Sequence, residues 1–300
     1  MDQHNNFLFQ YNPRESSGAY GTNIYIEKDL SKQCLQSINT IQYVGKLTPD
    51  KYAFHVYKTD LLVNGIEPDE HVYRLANECS KSCFPLTVIT NNKGLHEMVR
   101  TDDIVERWPI AREKIEREFQ GEGSNIYMKN IEQVIKNPIY ITRMIERDLF
   151  FNLYFGLIYG MSDSKAVKKM IPIIPFAEPV SYFCNQTVHF DSSEELIILT
   201  RGKFNDERDY TVLFPKDVSI RNGETSLTGI CNIEYVINKK QNLISAIKGE
   251  FNIFSNGNKM IDTHISSYYL EEIHIDPIVD KFIENEYKSK YTPKHWWNIL

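Results

Sequence analysis

Hydrophobic and polar residues alternate with a period of two through much of this chain, the pattern of half-buried strands. Tyr52-Ala-Phe-His-Val-Tyr-Lys58 sets Tyr52, Phe54 and Val56 on one side and Ala53, His55 and Tyr57 on the other. Short β-branched or aromatic runs at 23–27 and 38–44 read the same way, and Leu61-Leu-Val-Asn-Gly65 ends in the Asn-Gly turn signal. A hairpin is predicted over 84–99, turning at Asn91-Asn92-Lys93-Gly94. Beyond residue 180 the strand pattern returns at 180–189, 196–202, 210–214, 226–237, 243–254 and 259–269, with turns that include Asn222-Gly223 and Asn256-Gly257. Residues 228–237 and 243–253 read as two long antiparallel strands.

Between these groups the period lengthens to that of a helix. Val72, Leu75, Ala76 and Cys79 give one apolar face after Pro68, and Ile104, Trp108, Ile115 and Phe119 give another after a cap at Thr101 or Asp102. Tyr127, Ile131, Val134 and Ile135 form a third segment, which Pro138 ends. A fourth helix is predicted from about 139 to 159 on the same spacing argument. Its charges (Arg143, Glu146, Arg147, Asp148) stop just before Leu149-Phe-Phe-Asn-Leu-Tyr-Phe-Gly-Leu-Ile-Tyr-Gly-Met161, the densest apolar run in the chain. That run is too short to cross a bilayer, which needs about 20 residues. It is therefore predicted as a buried core helix that later strands wrap.

The expected fold is α+β: a large curved antiparallel sheet packed around central hydrophobic helices. A polar arm over 1–18 precedes a single domain over 19–300. Within it lie strands over 20–100, helices over 102–160, strands over 180–270 and a C-terminal helix and Trp tail over 277–300. This order of strands, helices and many strands resembles bacterial lipoprotein-localisation-factor folds, in which a curved antiparallel sheet partly encloses helices. The resemblance lies in layout and patterning and brings no functional residue with it.

Composition narrows the function classes. With 42% hydrophobic and 25% charged residues the chain can bury a core and is not of the disordered class. A net charge of −6 without a clustered basic stripe argues against nucleic acid. Lys168-Lys169 and Lys239-Lys240 read as solvated turns and helix ends. The N-terminal residues show no apolar secretory segment, and five cysteines, an odd number, fit a reducing compartment, so a cytoplasmic location is expected, with export by a machine that reads no N-terminal signal as the alternative.

Candidate chemistry is sparse. Cys79 and Cys83 at helical i, i+4 spacing could supply half a zinc tetrahedron, but no second ligand pair stands at matching spacing, so no metal and no cofactor is expected. None of the cysteines follows a glycine-rich turn that would expose a nucleophile, and no Gly-x-Ser-x-Gly elbow occurs. His189 with Asp191, and His274 with Asp276, each place an imidazole and a carboxylate on one side of a strand; period-two alternation on a solvent face gives the same spacing.

The reading these features support is a non-enzymatic binding or assembly protein acting through protein–protein contacts. Aromatic residues on outward strand positions and at the chain end (Tyr235, Tyr268, Trp296, Trp297) are the partner-binding candidates. The alternatives are a carrier that encloses an apolar ligand between sheet and helices, and a hydrolase using a His–carboxylate pair. For the carrier, Asn152, Phe155, Gly156 and Tyr159 are the pocket candidates, since the polar residue and the glycine interrupt the apolar run.

Overall fold

A computed structural model of the chain describes residues 11–28, 31–156, 158, 166–175, 177–190, 194–213 and 226–271. Its strands are β1 (Gly18–Lys28), β2 (Ser31–Thr48), β3 (Lys51–Val63), β4 (Leu86–Asn91), β5 (His96–Arg100), β6 (Val167–Ile171), β7 (Val180–Phe190), β8 (Glu195–Phe204), β9 (Leu227–Asn238), β10 (Leu243–Ser255) and β11 (Asn258–Tyr269). They build one large curved antiparallel sheet in the order β5-β4-β3-β2-β1-β11-β10-β9-β8-β7-β6. The sheet is thus two meanders, β1–β5 and β6–β11, joined where β1 pairs with β11, with Ile24 opposite Ile265. The α+β class with a curved antiparallel sheet is as the sequence pattern predicts.

Period-two alternation decides which face is buried. In β9, Cys231, Ile233, Tyr235 and Ile237 are buried, while the residues between them are partly open. The same alternation carries Tyr20, Thr22, Ile24 and Ile26 of β1 inward. Two Asn-Gly turns stand where expected: Asn64-Gly65 and Asn256-Gly257 all have positive φ, between 50° and 81°, which asparagine and glycine tolerate best. The predicted strand over 210–214 is corrected: Tyr210–Leu213 is a helical turn. The Asn222-Gly223 turn and the helix expected near the C-terminus lie outside the described residues.

The helices are α1 (His71–Cys83), α2 (Asp102–Glu118), α3 (Glu122–Ile135), α4 (Pro138–Arg147) and α5 (Leu149–Tyr154). The long helix predicted from 139 breaks at Asp148. Its backbone is extended there, and its carboxylate accepts from the Phe151 N–H at 3.1 Å, capping α5 as a separate six-residue helix. The same carboxylate takes the Lys58 ammonium of β3, so the break is fixed by a residue 90 positions away.

Helices cover both faces at one end of the sheet. α5 lies against the side carrying Phe54 and Tyr20, with ring centroids 5.9 Å apart for Phe54–Phe155 and 5.5 Å for Tyr20–Phe150. α2 meets the opposite side of β3 and β4, where Thr87 donates to Asp103 at 3.2 Å. Strand β4 is therefore buried on both faces, from Leu86 through Thr90. From β1 across to β7, one face is buried and the other meets solvent. Of the arm expected over 1–18, residues 11–18 pack onto the core: Tyr154 donates to the Ser16 carbonyl at 2.5 Å, and Ser17 accepts from the Tyr43 N–H at 2.9 Å. No helix among the described residues is long and apolar enough to cross a membrane.

Candidate functional site

The hub around α5 is filled by its own side chains. Leu149, Phe150, Phe151, Leu153, Tyr154, Phe155 and Ile158 are all at most 5% exposed, and successive rings touch at centroid distances of 5.1–5.6 Å. Asn152, read from sequence as a pocket residue, donates to the Glu146 carbonyl at 3.1 Å and the Met170 carbonyl at 3.2 Å, tying α5 to edge strand β6. At Gly156 a Cβ would sit 3.0 Å from the Asn152 and Leu153 carbonyl oxygens, so glycine here serves a tight exit from the helix. Tyr159 lies outside the described residues.

Tyr235 is corrected from an outward to an inward position. It is fully buried, and its hydroxyl donates to the Leu153 carbonyl at 3.2 Å, so it secures the hub from the β9 side. Tyr268 does face solvent at 47% exposure. Trp296, Trp297, Asp191, His274 and Asp276 lie outside the described residues, while His189 faces Thr187 at 3.2 Å.

Perturbed titratable groups gather where α2 crosses β3 and β4. In register across the strands stand Gln42, His55, Thr87 and Arg100, with Asp103 and Arg107 above them. Burial drives the His55 imidazole down to about 4, and the Arg107 and Arg100 charges push the same way against Asp103. Arg107 donates to the Cys83 and Pro85 carbonyls at 3.4 and 3.0 Å, and burial lowers its own pKa. Burial lifts the Cys83 thiol to about 11 and Cys79 to about 12, so both stay protonated and inert as nucleophiles. Asp103 and Arg107, bonded to Thr87 and to the Cys83 and Pro85 carbonyls, brace α2 against the sheet, and among the described residues of this cluster no nucleophile is activated.

The solvent face holds the exposed chemistry. Register places residues in rows across the strands. One row runs Asn185, Arg201, Asn232, Glu250, His264, Tyr25, Cys34, and its neighbour runs Lys168, Phe183, Lys203, Ile230, Asn252, Asp262, Glu27, Lys32. At the β11–β1–β2 end the His264 Nε2 lies 2.8 Å from an Asp262 oxygen, and Lys259 holds the other Asp262 oxygen at 2.6 Å. Asp262 and His264 border a shallow, open depression of about 260 Å³ shared with Tyr25 and Cys34. The Tyr25 phenol is raised by its hydrogen bond to the Cys34 thiol. Sequence reading missed this His–Asp pair, although its spacing matches the two pairs it did single out. All five cysteines are free, and no group of three or more metal-ligating side chains occurs among the described residues.

The solvent face also carries exposed large apolar side chains: Tyr25 at 52% exposure, Phe183 at 50%, Tyr268 at 47%, and Ile230 and Met170 at 43%.

No protein-family model matches the sequence, and no curated protein is similar to it. A solved structure describing lipid–protein interactions in lipovitellin is similar at TM-score 0.46 and 10% identity over 85% of this chain and 25% of that one. The chain thus spans about a quarter of the lipovitellin chain. A protein of unknown function from the DUF3598 family of Nostoc punctiforme aligns over 85% of this chain and 97% of its own, at 8% identity and TM-score 0.14.

Proposed function

We propose that this chain is a non-catalytic binding protein whose recognition surface is the solvent face of its sheet. One observation carries this reading: four large apolar side chains, Tyr25, Phe183, Ile230 and Tyr268, stand exposed on strands whose alternate residues are buried. Burying apolar area there would gain roughly 25 cal/mol for each Å² removed from water, which the free chain forgoes. The buried titratable groups favour structure over turnover, because the thiols are held protonated and the imidazole neutral. The test replaces Phe183, Ile230 and Tyr268 together with serine. Retained melting behaviour with loss of a co-purifying or captured partner supports the reading; unchanged capture removes this face as the recognition surface.

A second reading, carriage of an apolar ligand with a polar end, draws on a different observation. On the inward face, Gln186 and Thr200 are register partners at 4% and 0% exposure, and among the described residues neither amide atom of Gln186 nor the Thr200 hydroxyl has a hydrogen-bond partner. A ligand head group would satisfy them, as would ordered water. Organic extraction followed by mass spectrometry separates the two: a released apolar molecule supports carriage, and a clean extract assigns the site to water.

A further inference from the structure

The basic residues of the solvent face are not evenly matched. Toward its β10–β2 end, each is paired: Lys248 with Glu234 at 3.0 Å, Lys259 with Asp262 at 2.6 Å, Lys32 with Glu27 at 3.4 Å. Toward β6–β8, Lys168, Arg201 and Lys203 are exposed, and none forms an ion pair among the described residues. Along their rows the nearest carboxylates are Glu250, two strands from Arg201, and Asp262, three strands from Lys203. Asp206, close by at the end of β8, is taken up by Arg208 at 2.6 Å, and Glu207 next to it is exposed at the rim. A chain of net charge −6 thus carries, among the described residues, a patch of three cations without an ion-pair partner.

These cations are interleaved with apolar side chains. Across four adjacent strands the row reads Lys168, Phe183, Lys203, Ile230, with Met170 two residues from Lys168 and Arg201 two residues from Lys203. Neighbouring strands stand about 4.8 Å apart, so the four side chains span roughly 14 Å. Phe183, Ile230 and Met170 are 50%, 43% and 43% exposed. A strand surface of alternating ammonium groups and apolar side chains fits an interface where phosphate head groups lie above acyl chains: the cations meet phosphate, and the rings and aliphatic chains enter the boundary below. A nucleic acid would need a longer basic stripe and more than one stacking ring.

We infer that the β6–β9 end of the solvent face docks on an anionic phospholipid surface, with Lys168, Arg201 and Lys203 meeting the head groups and Phe183 and Ile230 inserting between them. The inference rests on the solvent face being the recognition surface and names its partner.

The test is co-sedimentation of the full chain with vesicles of phosphatidylcholine, with and without phosphatidylglycerol. Binding is expected only where phosphatidylglycerol is present, and should weaken as salt is raised. The K168Q/K203Q variant should bind about 25-fold more weakly, about fivefold for each lysine removed, while Lys248→Gln, on a paired lysine of the same face, should bind as the parent does. Phe183→Ser should leave the salt-dependent attraction but lower the binding that persists at high salt. Equal binding of parent and K168Q/K203Q, or equal binding to both vesicle types, overturns the inference. No vesicle binding, with a protein partner lost in K168Q/K203Q, also overturns it and leaves the solvent face as the recognition surface. Failure of both vesicle binding and partner capture removes both readings.

Discussion

Replacing His55 should change how this protein tolerates acid more than how stable it is at neutral pH. The imidazole lies between β3 and α2, its Nδ1 has no hydrogen-bond partner among the described residues, and burial holds its pKa near 4 against an ordinary 6.5. Above pH 6.5 both folded and unfolded chains carry a neutral imidazole, and the group costs nothing. As pH falls below 6.5 the unfolded chain takes up a proton that the native site refuses, so native stability drops until the native imidazole itself titrates near pH 4. At about 1.4 kcal/mol for each pH unit, the difference between 6.5 and about 4 amounts to about 3 kcal/mol. Urea unfolding of the parent and of His55→Gln, from neutral pH down to about 4, reads this directly, since carboxylates elsewhere contribute equally to both proteins. The parent should lose up to about 3 kcal/mol more than the variant across that window. Parallel losses would refute the reasoning, because they would mean the imidazole is protonated in place.

Three further outcomes are expected. Phe151→Ala should cost about 3–5 kcal/mol in urea unfolding, as for other large buried rings, because Phe84 and Phe150 pack against it and cannot both close the gap. At Gly202 a Cβ would lie 2.5 Å from the Cys184 sulfur, so Gly202→Ala should destabilise the fold, and a double-mutant cycle should recover part of the loss in the Cys184→Ala background; strict additivity would place the clash elsewhere. Cys34 is half-buried and the other four cysteines are fully buried, so a thiol reagent should modify one cysteine rapidly in the native protein, and Cys34→Ser should abolish that phase.

The strands were legible because period two and the Asn-Gly turns act locally: each is decided by residues a few positions apart. The break at Asp148 was not, since 139–159 keeps helical spacing and contains no proline after Pro138. What ends α4 is a side chain that caps α5 and meets Lys58 of β3. Alternation divides β9 into two sets but does not say which faces in. There the Ile233 and Ile237 neighbours of Tyr235 pointed inward, against the outward reading given to the tyrosine. The His264–Asp262 pair and the Lys168–Phe183–Lys203–Ile230 row need register to be seen. The row crosses four strands, and no stretch of sequence holds more than one of its members.

Joining β1 to β11 has a consequence for how the sheet is made. As the chain emerges from the ribosome, β1 to β5 can pair one after another, each with a neighbour just synthesised. The far side of β1 then waits, its N–H and C=O groups open, until β11 arrives with Ile265 to lie opposite Ile24. The middle of the finished sheet is thus its last seam to close. Until that moment β1 is an unguarded edge, available to any other strand of matching pattern. A nascent chain stopped before Asn258 would expose that edge indefinitely, which makes the centre of this fold, and not its rim, the place where its assembly is most open to misadventure.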